Sequence, residues 1–476
     1  MAEIRTKEFK TLAADTLGND AIQEHLKALY SGFNQGRLQQ AAATQNWEDL
    51  RDRARRVKAH TIENIDHYLE MAAENVENAG GKVFFAKNSE AATKYILDLA
   101  KQKEVRSVIK GKSMLSEEMD LNRHLAKQEI EAVETDLGEY LVQLAGQTPY
   151  HIIVPAIHMS KSDVNELFHE NLGVDPHAGV EELASAARNE LREKFIQADM
   201  GITGANFLVA ETGTLVLVTN EGNGRMSTSM PKTHVAIMGM EKIVPSMEDM
   251  GTFLRLLIRS ATGQRISSYV TMVTGPRSEI EEDGPEEFHL VIVDNGRSKL
   301  LADPHLREAL YCIRCGACLN ACPVYRKVGG HSYGWVYSGP IGAVVSPVLT
   351  DVPNAKDLPY ASSLCGACKE ACPIKIDLPR MLLYLRSEVT EGNTDSSRKK
   401  SSPIEKFAMK AWQVSVGGPS MMRLANLIGR LVQLPFARNG RLRLLPPPLS
   451  GWTRHRSFPA ISSSPFRSRW KKGIKP

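Results

Sequence analysis

"CIRCGACLNACP", residues 312–323, and "SSLCGACKEACP", residues 362–373, decide how this chain is read. The first holds Cys312, Cys315, Cys318 and Cys322, followed by Pro323, in the order C-x2-C-x2-C-x3-C-P. Two-residue gaps bring three thiolates to three corners of one iron–sulfur cubane. The fourth cysteine, before proline, turns away to serve a second cluster. The second stretch keeps Cys365, Cys368 and Cys372 with Pro373, but Ser362 stands where its first cysteine is expected. Crossover between the halves assigns Cys312, Cys315, Cys318 and Cys372 to one cluster. The other receives Cys322, Cys365, Cys368 and whatever stands at Ser362. The competing reading is zinc, which takes four tetrahedral ligands, usually from two CxxC pairs, and fits this packing poorly.

Ser362 leaves three readings open. The second cluster is [4Fe–4S] with a serine or solvent oxygen at its fourth corner, or [3Fe–4S] on three thiolates, or absent. An alkoxide is a harder ligand than thiolate and suits the soft iron–sulfur core less well. The expectation is a three-thiolate second cluster, of either nuclearity, that is the more labile of the two.

All seven cysteines lie between positions 312 and 372. An odd number confined to one window is a ligand set rather than a disulfide framework. The 42 residues between Cys322 and Cys365 are too many for two halves joined by small hairpins. "DPHLREALYCIRCGACLNACPVYRK" also reads as helix around the ligands. Residues 305–385 are therefore expected to form an α-helical two-cluster ferredoxin domain. The spacer "GGHSYGWVYSGPIGAVVSPVL" reads as a loop and short helix shielding the clusters, or as a partner-docking surface.

Upstream, residues 1–65 read as an N-terminal helical region, from apolar positions at three- and four-residue spacing. The Gly80-Gly81 pair closes the second helical run. Then strands and helices alternate. "KVFFA", "VRSVIK", "IEAVET" and "HIIVPAI" are the strands. "SEAATKYILDLAKQ" (N-cap Ser89), "SEEMDLNRHLAKQ" (capping-box-like Ser116) and "LGEYLVQLAG" are the helices. A long helix over 180–198 precedes the β-rich stretches "NFLVAETGTLVLVTN", "THVAIMGM", "YVTMVTG" and "FHLVIVDNG". This alternation predicts an α/β domain over 66–300 with a mostly parallel sheet covered on both faces.

Formal net charge is +4, but it is unevenly spread. From Arg398 onward there are 17 Lys and Arg against the single acid Glu405, which leaves the rest at about −12. Residues 386–476 read as a basic, Pro- and Ser-rich C-terminal region, with a short helix or two and a poorly ordered remainder. Its amphipathic stretch with Arg423, Arg430 and Arg438 suits an anionic membrane surface or an acidic partner subunit. Solvated tail is the plain alternative, and no recognised motif supports nucleic acid. The start, "MAEIRTKEFKTLAADTL", lacks an apolar h-region, so no signal peptide is expected. No apolar run reaches the length of a membrane span. A cytoplasmic protein, with membrane association through the tail left open, is expected.

Two polar stretches compete as further sites. "IKGKSM", residues 109–114, lacks the first glycine of a phosphate loop, since Arg106 stands there. Lys110, Lys112 and Ser113 could still hold an anion, although solvated lysines on a turn are the simpler reading. In "AETGTLVLVTNEGNGRMSTSMPKTH", Glu211, Thr212 and Gly213 fall on a tight turn. Asn220, Glu221, Asn223, Arg225, Ser227 and Thr228 follow in a Gly-rich loop. These are either a pocket or a capped structural loop. His234 and His289 sit in apolar strands as core residues. No G-x-G-x-x-G fingerprint asks for a nicotinamide or flavin cofactor.

The order "ETDLGEYLVQL", "HIIVPAIH", "GITGANFLVAETGTLVLVTNEGN", "PKTHVAIMGMEKIVP", "GPEEFHLVIVDNGR", "CIRCGACLNACPVYR", "GPIGAVVSPVL" and "YASSLCGACKEACP" resembles the lactate utilization protein B family, from about residue 40 to about 390. The resemblance implies a LUD domain similar in fold to the ribose-phosphate isomerase and CoA-transferase group. It implies an iron–sulfur electron-transfer subunit of a three-protein system oxidising L-lactate to pyruvate for growth on lactate. The partners implied are a cysteine-rich subunit like those of heterodisulfide reductases and a smaller LUD-domain subunit. By motif match Cys312, Cys315, Cys318 and Cys372 hold one cluster, and Cys322, Cys365 and Cys368 the other, with no catalytic residue assigned. The alternative is an oxidoreductase with its own substrate site near Glu211–Thr228.

Overall fold

The computed structural model describes residues 4–351, 354–391, 403–447, 449–453 and 456–473. They divide into two units, with the boundary between Lys399 and Lys400.

The first unit opens with five helices: α1 Phe9–Leu17, α2 Asp20–Leu29, α3 Gln35–Ala43, α4 Trp47–Glu63 and α5 Ile65–Asn78. The run expected to be one helix from Trp47 breaks at Asn64, between α4 and α5. Six strands then build one parallel sheet: β1 Lys82–Ala86, β2 Ser107–Lys110, β3 Glu131–Glu134, β4 Met200–Thr203, β7 Thr233–Gly239 and β10 Glu287–Val293. Their spatial order is β1-β10-β7-β4-β2-β3. Between them in the chain, β5 Phe207–Val209, β6 Thr214–Thr219, β8 Ile243–Val244 and β9 Tyr269–Val273 form a second, four-stranded sheet.

Burial explains why the main sheet is parallel. Every residue of β7 is buried, so both faces need cover, which crossover helices provide. Val235 and Ile237 meet Ile96, Leu99, Leu121 and Leu125 on one face. Ala236 and Met238, on the other, join a core that runs on through Phe207, Phe253 and Leu26 to Cys315, Cys322, Cys368 and Cys372. The helical region, the α/β domain and the cysteine window thus share one continuous core.

Local chemistry moved several elements from where pattern alone put them. "HIIVPAI" is not a strand. The His151 ring nitrogen Nδ1 accepts from the backbone N–H of Ile153 (3.1 Å) and of Val154 (3.3 Å), and Pro155 has none to give. Donors that a sheet ladder would need are taken by a side chain, and the segment folds as turns. Asn88, not Ser89, caps Ser89–Gln102, accepting from Ala91 N at 3.0 Å. Ser113, not Ser116, caps the next helix, which is two short pieces, Met114–Glu118 and Leu121–Ala126. The loop expected after Glu221 is partly helical, over Asn223–Ser229.

His234 lies wholly buried in β7, its Nε2 hydrogen-bonded to Thr203 Oγ1 at 2.8 Å. Burial, with His289 nearby, holds its pKa down to about 3. The ring is neutral in both folded and unfolded chains at pH 7. Below about 6.5 the unfolded chain takes a proton that the folded chain refuses. Stability is then lost at about 1.4 kcal/mol per pH unit for this group, until the folded pKa is reached. His234→Gln, which keeps a partner for Thr203, is expected to flatten the fall in thermal midpoint between pH 7 and pH 5. An unchanged slope would remove this histidine as a source of acid sensitivity.

The second unit contains helices Pro403–Val416 and Pro419–Gln433 and a small antiparallel sheet of Ala437–Arg438, Arg441–Leu442 and Phe458–Pro459. Trp412, Leu427, Leu431 and Val432 are exposed on its helices. Among the described residues no helix is long and apolar enough to cross a membrane.

Candidate iron–sulfur centre

The two half-motifs adopt the same backbone. Arg314 and Leu364, each before a cysteine, have positive φ (60° and 56°), as do Gly316 and Gly366 after it (74° and 86°). A non-glycine residue in that region is strained, so its recurrence at both sites marks a loop shaped by its ligands. One turn of helix follows in each, Ala317–Ala321 and Ala367–Ala371. Both helices end as Cys322 and Cys372 go extended, ψ 121° in each, as a residue before proline must. In each half the chain leaves its helix at that cysteine, which suits a fourth thiol that serves a different cluster from the first three.

Ser362 completes the correspondence. The Arg314 N–H donates to Cys312 Sγ at 3.4 Å, and the Leu364 N–H donates to Ser362 Oγ at 3.1 Å. The serine oxygen occupies the place in the second loop that the Cys312 sulfur has in the first.

Electrostatics links most thiols within two groups, with Cys368 of the second also acting on Cys318 of the first. Burial pushes Cys315 up, and Cys372 and Cys312 add to it. Burial raises Cys318 well above the usual thiol range, with Cys312, Cys315 and Cys372 close enough to contribute. Cys372 stands at about 11, chiefly through burial, with Cys312 its thiol neighbour. In the other group burial takes Cys368 to about 12, with Cys322 the next contributor and Cys365 a smaller one, while Cys322 is raised by burial and by Cys365. Cys365 is exposed, and the Ala367 N–H and Ser363 hydroxyl lower its pKa. Buried thiolates crowded in this way repel one another unless metal charge lies among them, and then they deprotonate outright. Among the described residues no three His, Cys, Asp or Glu are arranged to hold a single metal ion. Seven free cysteines on two loops of matching backbone are a donor set that fits iron–sulfur clusters.

Sequence reasoning missed the shell of cations. On α4, Arg51, Arg55 and Lys58 follow i, i+4, i+7 and so share one face. Arg51 donates to the Cys372 carbonyl (2.8 and 3.2 Å) and the Glu370 carbonyl (3.0 Å). Arg55 donates to the Lys375 carbonyl and pairs with Glu308, both at 2.6 Å. Fully buried Lys58 donates to the carbonyls of Glu241 (2.6 Å) and Ile243 (3.2 Å). The stripe was visible in "RDRARRVK" as a charge pattern, but apolar periodicity does not detect it.

A buried ion network joins the cysteine window to the α/β domain. Arg297 grips Glu118 through both oxygens (3.1 and 2.9 Å) and Glu241 at 2.8 Å. Tyr337, from the spacer, donates to Glu118 at 2.5 Å, and Arg314 lies 4.4 Å over its ring. Burial alone would raise Glu241, but Arg297 and Arg314 outweigh it and hold it at about 2.

Beside this network lies a cavity of about 940 Å³. Its walls are the loops Gly111–Ser113 and Gly204–Asn206, the turns that replaced the expected strand at 151–157, and the deep residues Lys242, Arg314 and Tyr337. At its rim, exposed Asn220 donates to Gln264 at 2.8 Å. The two competing polar stretches separate here. Lys110 is not solvated. It is fully buried and paired with Glu134 (2.6 Å) and Glu117 (2.9 Å). Lys112 lines the cavity instead. Of the other stretch, Glu211 accepts from Met247 N (3.0 Å), Thr212 donates to Thr214 (2.7 Å), and Thr228 donates to the Arg225 carbonyl, all structural. Asn220, Glu221 and Asn223 line the cavity, whereas Arg225, Ser227 and Thr228 do not.

Three family descriptions match along the chain: LUD domain over residues 69–293, 4Fe-4S dicluster domain over 308–376, and lactate utilisation protein B, C-terminal, over 384–474. Lactate utilization protein B of Bacillus licheniformis is 47% identical over 467 residues, 98% of this chain and 96% of that protein. Its counterpart from Bacillus subtilis is 45% identical, again over 98% and 96%. A solved DUF162-family protein from Deinococcus radiodurans aligns with 48% of this chain and 98% of its own at 14% identity. Its TM-score of 0.26 is too low to inform the fold.

Proposed function

Because the chain belongs to the lactate utilization protein B family and carries a dicluster domain, we propose that it is the iron–sulfur electron-transfer subunit of a multi-subunit system oxidising L-lactate to pyruvate. Cys312, Cys315, Cys318 and Cys372 hold the inner cluster, a [4Fe–4S]. Cys322, Cys365 and Cys368 hold the outer one, [4Fe–4S] or [3Fe–4S], with Ser362 standing where a fourth cysteine is expected. Bound clusters supply one-electron transfer, and the chain sets their potentials through burial, hydrogen bonds and nearby charge.

The observation that carries this reading is the asymmetry between the two groups of thiols. Cys315 and Cys372 are buried and Cys312 and Cys318 half-buried, with Arg51 and Arg55 on the carbonyls of the loop that carries Cys372. Cys365 is exposed. No thiol of the first group is exposed, whereas the second group reaches the surface at Cys365, which suits a relay that hands electrons to another protein. A cysteine-rich subunit like those of heterodisulfide reductases and a smaller LUD-domain subunit are the partners proposed. The exposed apolar and basic helices after residue 403 offer them, or an anionic membrane surface, a place to bind.

Deletion of the gene is expected to abolish or markedly slow growth on L-lactate in a strain with no other lactate dehydrogenase, with growth on pyruvate intact. Normal growth on L-lactate would overturn the proposal. Lactate turnover by the purified chain alone with an artificial acceptor would favour an oxidoreductase complete in itself.

A further inference from the structure

The cavity has no role in a plain electron carrier, yet its place follows from topology. Along the sheet the chain runs outward from β2 to β3, then returns to β4 and proceeds the other way through β7 and β10. The direction reverses between β2 and β4, so the loops leaving their carboxyl ends diverge. In open α/β sheets ligands bind in the crevice that forms there. Those loops are Gly111–Ser113 and Gly204–Asn206, and both line the cavity. They approach so closely that a Cβ on Gly204 would lie 3.1 Å from the Lys112 carbonyl oxygen.

The deep end holds more cationic capacity than the protein satisfies. Arg297 is fully engaged by Glu118 and Glu241. Arg314 stacks on Tyr337 and among the described residues has Glu241 as its one ion-pair partner, at 3.6 Å, while its Nη1 is buried with no hydrogen-bond partner. Lys242 lines the cavity and, among the described residues, has neither a hydrogen bond nor an ion pair. A buried guanidinium with an open donor is costly unless an anion meets it, and half-buried Lys242 offers a second cation to the same anion. A carboxylate accepts from a guanidinium and an ammonium at once. The rest of the lining mixes polar groups, among them the carboxylates Asp136 and Glu221, with apolar side chains such as Ile153 and Leu217 that can cover the carbon skeleton of such an acid.

We propose that this cavity binds a small organic carboxylate of the 2-hydroxy- or 2-oxo-acid class, with its carboxylate on Lys242 and Arg314. The substrate class rests on the lactate-oxidation reading above; the cation site does not. Arg314 stands between Cys312 and Cys315, so the bound acid lies against the loop that holds the inner cluster. The competing use of the same cations is to offset the negative charge of the cluster thiolates, with no ligand involved.

Calorimetric titration distinguishes the two, using full-length, cluster-loaded protein under anaerobic conditions with L-lactate, pyruvate and inorganic phosphate as probes. One acid site per chain is expected, with phosphate binding weakly or not at all. Lys242→Gln should weaken acid binding roughly tenfold or more, as loss of a charged hydrogen bond does, and Lys242→Arg should restore most of it. Should Lys242→Gln fail to load iron, the wild-type protein still reports. Saturating pyruvate is expected to shift the electron paramagnetic resonance of the reduced inner cluster and leave the outer one unchanged. No binding of either acid at about 10 mM, well above an ordinary weak site, overturns the proposal. So does undiminished binding by Lys242→Gln with an altered cluster resonance, which would assign the cations to the cluster. Neither result touches the electron-carrier reading, which the growth of the deletion strain decides separately.

Discussion

Replacing Cys372 with alanine is expected to remove the inner cluster and spare the outer one, although Cys372 lies in the second half-motif with Cys365 and Cys368. The reason is geometric. Cys372 sits one residue beyond the helix Ala367–Ala371, where the chain goes extended ahead of Pro373 and carries the thiol away from its own loop. Its electrostatic thiol neighbour is Cys312, while Cys368 couples to Cys322 and Cys365. Arg51 fixes the departure by gripping the Cys372 carbonyl from α4. Iron should fall by about four per chain, one cubane. The reduced-state resonance that disappears should be the one that Cys315→Ala also removes. Cys365→Ala should give the complementary loss, of the outer cluster alone. If Cys372→Ala and Cys365→Ala abolish the same resonance, each half-motif serves its own cluster and the crossover assignment is wrong.

The crossover is proposed from the sequence, where the spacing of cysteines before proline suggests it locally. The parallel sheet was legible in the sequence, since strands and helices alternate along 66–300. What could not be read arises from partners distant in sequence or from side chains competing with the backbone. Pattern alone made 151–157 a strand, and only His151 taking the N–H groups of Ile153 and Val154 shows why it is not. Lys110 looked like a solvated turn lysine until Glu134 and Glu117 enclosed it. The deep end of the cavity joins Lys242, Arg314 and Tyr337, which belong to two family domains and the spacer between half-motifs. No window of sequence contains that juxtaposition. The same distance in sequence hid the targets of the α4 stripe, which lie more than 180 residues away.

Ser362→Cys should convert the outer cluster from the more labile of the two into a fully ligated [4Fe–4S]. The loop is already built for it. Ser362 Oγ accepts from Leu364 N as Cys312 Sγ accepts from Arg314 N, and Leu364 has the same positive φ as Arg314. A cysteine there needs no change of backbone. Serine is the weaker partner on two grounds. Its hydroxyl must lose a proton that it holds far more tightly than a thiol does, and the resulting alkoxide is hard where the cluster is soft. Three thiolates then carry the cluster, and oxygen reaches it through the exposed Cys365 side. Anaerobically purified wild-type protein is accordingly expected to show an oxidised three-iron resonance, with about seven iron per chain. In Ser362→Cys that resonance should vanish, iron should rise to about eight, as two cubanes require, and loss of iron in air should slow. Ser362→Ala decides whether the hydroxyl contributes at all. An alanine variant that keeps the wild-type resonance and iron count leaves the corner open. One that loses the outer cluster makes Ser362 a ligand and overturns the three-thiolate assignment, and the wild-type cluster must then contain four iron atoms.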